Sequence, residues 1–236
     1  MIDLHFAATP NGWKITIMLE ECGLPYAVKP VNIGAGEQFR PEFLAISPNN
    51  RIPAIVDHDP PGGGAPISVF ETGAILLYLA EKTGQFLPTD LRGRTAVTEW
   101  LMWQMAGLGP MLGQNGHFRL YAPERLPYAV DRYAREADRL YGVLDRQLAK
   151  TDAYVAGADY SIADIACFPW IITHKAQGID MAAFPHVARW FAAVRQRPAV
   201  KAGTAVGRMA RPEEITADAK RVMMGIGSDA PASEGE

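Results

Sequence analysis

Cysteine and long apolar runs are both scarce in this sequence of 236 residues. Its two cysteines, Cys22 and Cys167, form no CxxC pair and no cluster with metal-ligand spacing, so neither a disulfide framework nor a metal site is expected. No run of about 18 apolar residues is present, so no membrane span is expected. The first residues, MIDLHFAATP, lack the basic and apolar regions of a signal peptide. Together these absences predict a soluble, reduced, cytoplasmic protein without a membrane partner.

An excess of charge of one sign is also missing. Lys and Arg total 23 and Asp and Glu total 26, which gives a net charge of −3. A near-neutral balance argues against nucleic acid or an anionic membrane as a partner. With 48% apolar and 21% charged residues, the composition is that of a globular protein with one large domain or two small ones.

Strand and helix patterns alternate over the first 84 residues in a β-α-β-α-β-β-α order. The predicted strands are 2–6, 26–31, 52–57 and 67–70, and the predicted helices are 11–22, 38–45 and 72–83. Helical crossovers imply that the first strands run parallel, and a direct hairpin then adds an antiparallel strand. We therefore expect an α/β domain over 1–86 with a four-stranded mixed sheet of the thioredoxin type.

Strand patterns disappear after Pro88. Helical spacing predicts helices over 90–118, 125–150, 161–175 and 184–196, with a kink at Gly109-Pro110 because proline removes a backbone hydrogen bond. An all-α helical bundle is thus expected over 90–205. Residues 206–236 form a C-terminal extension, with a short helix predicted over 212–224 and a disordered end over 226–236.

Polar residues stand at the start of the first predicted helix. The segment Thr9-Pro10-Asn11-Gly12 follows the first strand, where a sheet presents ligand sites and a helix presents free N–H groups. A hydroxyl and an amide at this position suit an anion or a thiolate. An ordinary N-cap turn, for which Asn11 is suited, is the alternative interpretation.

A proline begins the third predicted strand, after Arg51 and Ile52. Pro53 suits a cis bond, which would leave the backbone of Ile52 free to pair with an extended peptide ligand. A plain strand-start proline is the alternative.

An acid precedes the third long helix in the segment Phe70-Glu71-Thr72-Gly73. Thr72 is the expected N-cap of this helix. A helix start that accepts a carboxylate, beside an acid that accepts an ammonium, would recognise a free amino-acid end. An N-cap with an acid near the helix dipole is the alternative.

Four further residues are interpreted as structural or unreactive. Ser161 and Asp164 have the spacing of a capping box. Cys167 lies within an apolar helix and is expected in the core. Cys22 ends a helix, where the dipole disfavours a thiolate, so it should be a poor nucleophile.

The order of these segments resembles the cytosolic glutathione transferases over residues 1 to about 205. The segments that carry the resemblance are SPNNRIPAIVD (47–57), FETGAILLYLAEKTG (70–84), AGADYSIADIACFPW (156–170) and FPHVARWFAAVRQRPAV (184–200). Within that family the chain is similar to the bacterial nu-class branch, whose members reduce disulfides with glutathione. That similarity lies in FAATPNGWKITIMLEE (6–21), GEQFRPEFLAISPNN (36–50) and LGPMLGQNGHF (108–118). The Tyr, Ser or Cys that other classes place near residues 5–16 is missing.

The resemblance implies a site for reduced or disulfide glutathione as cosubstrate, without a metal. Thr9 and Asn11 would surround the glutathione sulfur. The other implied contacts are Gln38 with the peptide or its glycine carboxylate, Arg51 with the glycine end, Ile52 before cis-Pro53 with the cysteinyl backbone, Glu71 with the γ-glutamyl ammonium and Thr72 with its carboxylate.

The resemblance also implies a homodimer, with Arg132 reaching the site from the partner subunit. The second, disulfide-substrate side would be formed by Gln114, Asn115, His117 and Phe118. The implied activity is a glutathione-dependent disulfide-bond oxidoreductase that uses the bound thiolate and no protein cysteine, with organic hydroperoxides as a further substrate class. Conjugation of electrophiles is the alternative activity, and a non-catalytic glutathione- or partner-binding protein is the alternative of another class.

Overall fold

The structure is a computed structural model that describes residues 1–207 and 216–224. Its N-terminal part is a four-stranded sheet with helices packed against it. The elements in chain order are β1 (Ile2–Phe6), α1 (Pro10–Glu21), β2 (Tyr26–Pro30), α2 (Pro41–Leu44), β3 (Ala54–Asp57), β4 (Ile67–Phe70) and α3 (Thr72–Thr83). The predicted bounds of β1, β4 and α3 are confirmed to the residue, and α1 is shifted by one residue. The predicted thioredoxin-type mixed sheet is confirmed.

The sheet has the strand order β2-β1-β3-β4. Strands β1 and β2 are parallel, as predicted, but β3 runs antiparallel to β1 and β4 antiparallel to β3. The expectation that the early strands are parallel is therefore wrong for β3. Between β2 and β3 the chain forms two 3₁₀ turns and the four-residue α2 instead of a helix that crosses back along the sheet. Strand β3 consequently starts from the end at which β2 finishes.

The remainder of the described chain is helical, which confirms the predicted fold class. Its elements are α4 (Leu91–Trp103), α5 (Gly109–Gly116), α6 (Pro127–Thr151), α7 (Ile162–Ile171), α8 (His174–Gln177), α9 (Pro185–Gln196), α10 (Pro198–Ala205) and α11 (Ala217–Met224). The helix predicted over 161–175 is interrupted, since α7 and α8 are separate elements.

Two π-helical segments, Gln104–Leu108 and His117–Tyr121, flank α5. Pro110 is the second residue of α5, directly after the first of these segments. The chain therefore remains helical through the predicted kink, with the π segment placed where proline disturbs the backbone hydrogen bonds.

Helix α1 lies between the sheet and the helical part, and it packs against α3, α7 and α10. Its residues from Gly12 to Leu19 are all buried. At α10, a Cβ on Gly203 would come within 2.6 Å of the Ile17 nitrogen, so the absence of a side chain permits the contact. The Thr16 hydroxyl donates to the Gly203 carbonyl at 2.8 Å. These contacts hold the middle of α1 against α10, and the start of the same helix lies at the candidate site.

The predicted capping box at the start of α7 is confirmed. Ser161 is the N-cap, and the Asp164 carboxylate accepts the Ser161 backbone N–H at 3.0 Å. The same carboxylate accepts the Trp190 indole N–H at 2.8 Å, which connects α7 to α9. Burial raises the pKa of Asp164 to about 6. Cys167 is fully buried in the core, as predicted.

The described part of the C-terminal extension includes α11, which falls within the predicted helix 212–224 and packs against the 3₁₀ turn Ile33–Ala35. The prediction for 226–236 lies outside the described residues. Across 1–207 and 216–224, every helix is too short or too polar to cross a bilayer.

Candidate active site

A cavity of about 320 Å³ opens where the sheet meets the helical part. Its size is that of a small-molecule site. One wall is formed by the starts of α1 and α3 and by the loop before β3, and the opposite wall by α5, the π segment before it and α7. The residues that line the cavity are Asn11, Lys14, Ser47, Asn49, Arg51, Ile52, Pro53, Phe70, Glu71, Thr72, Gln104, Met105, Gly109, Pro110, Gly113, Gln114 and Trp170. The three N-terminal segments singled out in the sequence therefore meet at one place.

Thr9, and not Asn11, is the N-cap of α1. Its hydroxyl oxygen accepts the Gly12 N–H at 3.2 Å, and Pro10 takes the first helical position. The Asn11 side chain is thereby left for the cavity, where its Oδ1 accepts the Trp170 indole N–H at 3.2 Å. Because an indole N–H is only a donor, the amide oxygen must face Trp170. The group that Asn11 can offer to a ligand is its NH₂, a hydrogen-bond donor.

The loop before β3 places the backbone around Ile52 at the cavity. The Ile52–Pro53 bond is cis, as the resemblance implied, which excludes the plain strand-start proline that the residues alone left open. Ser47 supports the loop, because its hydroxyl donates to the Arg51 carbonyl at 2.8 Å. The Arg51 guanidinium is exposed and donates to the Asn50 side chain at 2.9 Å. A cationic side chain thus stands at the mouth of the cavity, beside the backbone of Ile52.

Glu71 precedes α3 with a backbone φ of 67°. It is the N-cap, and Thr72 is the first helical residue, so the prediction of Thr72 as the cap is wrong. A residue with a side chain in the left-handed region costs about 1–3 kcal/mol and persists where the surroundings require it, often at ligand sites. The exposed Glu71 carboxylate accepts from the Asn49 amide at 3.4 Å. This turn places an acid and a helix N-terminus side by side in the cavity.

Lys14 is a site residue that sequence reasoning missed. Its side chain is only 2% exposed, and Nζ donates to Gln104 Oε1 at 2.7 Å and to Thr72 Oγ1 at 3.2 Å. Burial lowers the pKa of this amine to about 7, although Cys167 and Glu71 act in the opposite direction. The sequence does contain an indication of this role. Lys14 follows Asn11 by three residues, which places both on one face of the helix, and it is the one charged residue in the buried run 12–19.

The opposite wall contains one of the four residues predicted for the second substrate. Gln114 lines the cavity. Asn115 faces the helical core instead, where its amide donates to the Gln177 carbonyl at 2.9 Å. His117 and Phe118 lie outside the lining, with their rings in edge-to-face contact at 4.8 Å, and Phe118 also stacks on Tyr133 at 5.3 Å. These contacts pack the three residues within the helical part, and their predicted roles toward a second substrate stay predictions.

Thr9, Gln38 and Arg132 also lie outside the lining. Thr9 is adjacent to it as the cap of α1. Gln38 is buried and its amide donates to the Ile33 carbonyl at 3.2 Å, while its Oε1 has no partner in the described part of the chain. Arg132 is an exposed residue of α6. Their predicted roles toward a ligand stay predictions.

Neither cysteine belongs to the cavity lining. Both are free thiols, and burial raises the pKa of each, so both are poorly reactive as nucleophiles. In the described part of the chain, no three His, Cys, Asp or Glu side chains come together as a metal site would require. Thiol chemistry in this cavity therefore depends on a thiol that the ligand brings.

Comparison with known proteins identifies both halves of the chain. The family model described as "Glutathione S-transferase, N-terminal domain" matches residues 8–82, and "Glutathione S-transferase, C-terminal domain" matches 108–198. Disulfide-bond oxidoreductase YfcG of Escherichia coli K12 is 58% identical over 199 residues, which are 84% of this chain and 92% of that protein. Disulfide-bond oxidoreductase YghU of the same organism is 45% identical over 221 residues, which are 88% and 75% of the two chains.

Solved structures agree with these matches. A glutathione transferase family member from Pseudomonas fluorescens Pf-5, with two glutathione molecules bound, has a TM-score of 0.80 and 45% identity, with 86% of this chain and 92% of that chain covered. A glutathione transferase from Pseudomonas putida, with one glutathione disulfide bound per subunit, has a TM-score of 0.80 and 43% identity, with 87% and 91% covered.

Proposed function

The chain belongs to the glutathione S-transferase family, and we propose that it is a glutathione-dependent disulfide-bond oxidoreductase. The observation that carries the proposal is the cavity, which joins polar groups suited to a peptide ligand with a helix start suited to its sulfur and has no cysteine in its lining. The name of the relative that is 58% identical supports this activity. We place the protein in the cytoplasm because both cysteines are free thiols.

Each end of glutathione has a complementary group. The γ-glutamyl ammonium would pair with the Glu71 carboxylate, and the γ-glutamyl carboxylate would bind at the start of α3 beside Thr72. The cysteinyl backbone would pair with Ile52. The glycine carboxylate would lie near Arg51, within reach of the loop that contains Gln38.

The sulfur of a glutathione bound in this way would lie near the start of α1. A thiol with a pKa near 8.5 is only about 3% thiolate at pH 7. Lowering that pKa by about 2 units requires roughly 2.7 kcal/mol of preferential stabilisation of the thiolate. The Asn11 NH₂, the Thr9 hydroxyl and the positive end of α1 are the groups that would supply it.

The reaction then needs two glutathione thiols and no protein thiol. The first thiolate attacks the RS sulfur of a disulfide RSSR′. A new S–S bond forms between the glutathione sulfur and that RS sulfur, the original S–S bond breaks, and R′S⁻ leaves and takes up a proton. A second glutathione thiolate attacks the glutathione sulfur of the mixed disulfide, which releases the second thiol and forms glutathione disulfide. Organic hydroperoxides are a further substrate class that we propose for the same thiolate.

We also propose a homodimer. The edge strand β4 and helix α4 expose the apolar side chains Ile67, Phe70, Leu91 and Met102. A second copy that covers these side chains would remove them from water, and in the dimer that the resemblance implies Arg132 would reach the partner's cavity. Light scattering on the purified protein tests this: a mass near 25.8 kDa contradicts the dimer, and twice that mass supports it.

The activity is tested by glutathione-dependent reduction of hydroxyethyl disulfide, with production of glutathione disulfide followed through glutathione reductase. We expect activity in the wild type and, within about 2-fold, in a Cys22→Ser/Cys167→Ala double variant. Loss of activity only in the double variant would assign the chemistry to a protein thiol. If the wild type is inactive here but conjugates glutathione to a chloronitrobenzene, the alternative activity replaces the proposal. Inactivity in both assays, with glutathione still bound, identifies a binding protein.

A further inference from the structure

Lys14 is a buried amine without a carboxylate partner among the residues that the structure describes. Its nitrogen lies between α1, α3 and the π segment Gln104–Leu108, and its side chain forms part of the cavity lining. The acceptors that surround it are neutral. A buried ammonium normally has an anionic partner, because removing the charge from water is costly. The missing anion is the first indication that a ligand completes this arrangement.

A second indication comes from the amide of Gln104. Its Oε1 accepts from Lys14 at 2.7 Å, while its Nε2 is buried and has no partner among the described residues. Gln104 is fully buried and lines the same cavity. Among the described residues, the cavity wall thus combines an amine that has hydrogen-bond acceptors but no anionic partner with an amide group that has no acceptor.

We propose that Lys14 is a positioning cation for the ligand carboxylate at the start of α3, and that it acts through the Thr72 hydroxyl. The proposal rests on the proposed function, since it takes that carboxylate to be the γ-glutamyl end of glutathione. Lys14 reaches the site through the oxygen of Thr72, and the ligand carboxylate supplies the nearby anion that Lys14 lacks among the described residues.

The hydroxyl geometry supports this arrangement. An ammonium only donates, so the contact of 3.2 Å must use an oxygen lone pair of Thr72 and leaves the hydroxyl hydrogen for another acceptor. That hydrogen is directed to the Met105 sulfur at 3.2 Å, which is a weak acceptor. A carboxylate is a much stronger acceptor and would take the hydrogen from the sulfur. Lys14 thereby holds the Thr72 hydroxyl as a donor before the ligand arrives.

The charge balance gives the proposal a measurable consequence. The titratable groups that act on Lys14 are the Cys167 thiol from α7 and the Glu71 carboxylate from the turn before α3, while the π segment contributes neutral Gln104 and Met105. Burial lowers the pKa of Lys14 to about 7, so the amine is only partly protonated near neutral pH. A carboxylate bound beside Thr72 favours the ammonium, so ligand binding should take up a fraction of a proton.

The probe is S-methylglutathione, which has both carboxylates and no free thiol. Its binding is measured by isothermal titration calorimetry at pH 7.5 in two buffers with different heats of ionisation, which gives the number of protons taken up. We expect uptake in the wild type, no Lys14-dependent uptake in Lys14→Met, and an affinity about 10- to 100-fold weaker in that variant. The amine of the probe contributes equally to both proteins, so their difference reports Lys14. Lys201→Met, an exposed lysine on α10, is the matched control and should behave as the wild type.

A purely structural lysine would change stability without changing the proton count. Equal proton uptake in the wild type and Lys14→Met therefore overturns the proposal, as does equal affinity. If Lys14→Met does not fold, the wild type still decides the question, because the uptake must fall toward zero at pH 5.5, where the amine is already protonated. In steady-state assays, Lys14→Met should raise KM for glutathione more than it lowers kcat. Failure of the wild type to bind the probe would instead overturn the proposed function.

Discussion

Asp164 and Lys14 are both buried ionisable side chains, on helices α7 and α1 that pack against each other, yet their surroundings are opposite. Lys14 has neutral acceptors, borders the cavity, and neighbours an amide group without a partner. The Asp164 carboxylate accepts hydrogen bonds from the Val155 backbone N–H, the Ser161 backbone N–H and hydroxyl, and the Trp190 indole. The comparison teaches that burial alone does not indicate a functional role. A buried ionisable group whose surroundings fill its hydrogen-bonding positions stabilises the fold, whereas a buried amine that has only neutral acceptors and borders a cavity is available to a ligand anion.

The largest effect that the comparison predicts is on stability. Asp164→Ala should lower the free energy of unfolding by about 3–5 kcal/mol, because it leaves buried N–H groups of three residues without an acceptor. Urea unfolding measures this change, with Asp138→Ala on the exposed side of α6 as the control. Activity per folded molecule should stay close to that of the wild type. A loss below about 1 kcal/mol would contradict the structural role of this carboxylate.

On the cavity side, the largest predicted effect is on turnover. Asn11→Ala should lower disulfide reductase activity by about 100-fold, roughly 2.7 kcal/mol, because it removes a donor to the thiolate, while stability changes less than in Asp164→Ala. Trp170→Phe sharpens the test, since it removes the N–H that orients the Asn11 amide but leaves the amide in place. Its activity should lie between those of the wild type and Asn11→Ala. Full activity in Asn11→Ala would exclude this residue from thiolate stabilisation.

The two buried groups should also give opposite dependences of stability on pH. Burial raises the pKa of Asp164 from 3.8 to about 6, so the part of its contribution that depends on protonation is present below pH 4 and is lost as the pH rises through 6. Burial lowers the pKa of Lys14 from 10.5 to about 7, so its contribution is present above pH 10.5 and is lost as the pH falls through 7. Unfolding free energies from pH 7 to 10 should rise by on the order of 2 kcal/mol more in the wild type than in Lys14→Met. Parallel curves would show that Lys14 keeps an ordinary pKa.

The smallest predicted effect concerns a region away from both groups. Truncation after Gly207 removes α11 and its contact with the turn Ile33–Ala35. We expect a stability loss below about 1 kcal/mol and a rise of a few-fold in KM for glutathione, because the loop with Gln38 loses support. Gly34→Val is the matched variant, since a Cβ there would lie 3.0 Å from the Ala219 Cβ and displace α11 without shortening the chain. Unchanged kinetics in both would show that the extension does not influence the site.

Much of the fold was predictable from local patterns. Strands β1 and β4 and helix α3 have clear apolar periods and turn residues at their ends, and the residues at three element starts could be assigned to one site. The direction of β3 was not predictable in this way. The direction of β3 depends on the length of the helix between β2 and β3. The apolar residues of that segment are only weakly periodic, so the sequence does not predict that length.

The composition of the site was only partly predictable, for a physical reason. Lys14 is separated from Gln104 by 90 positions in the chain, so no local pattern shows that the two side chains meet. Gln114 and Asn115 illustrate the same difficulty at short range. They are adjacent in a polar stretch, but successive helical residues differ by about 100° in direction. One therefore faces the cavity and the other the core.

Because of the close contact at Gly203, the sheet-containing half and the helical half of this protein cannot be exchanged independently. Helix α1 presents the cavity residues, and it is also the helix against which α10 lies without an intervening side chain at Gly203. A chimera that joins this sheet to a different helical half would have to reproduce both that bare backbone and the carbonyl that accepts the Thr16 hydroxyl. A hybrid of two relatives that is joined after α3 would pair the α1 of one protein with the α10 of the other. We expect such hybrids to be inactive, so that active proteins result only when the whole chain comes from one relative.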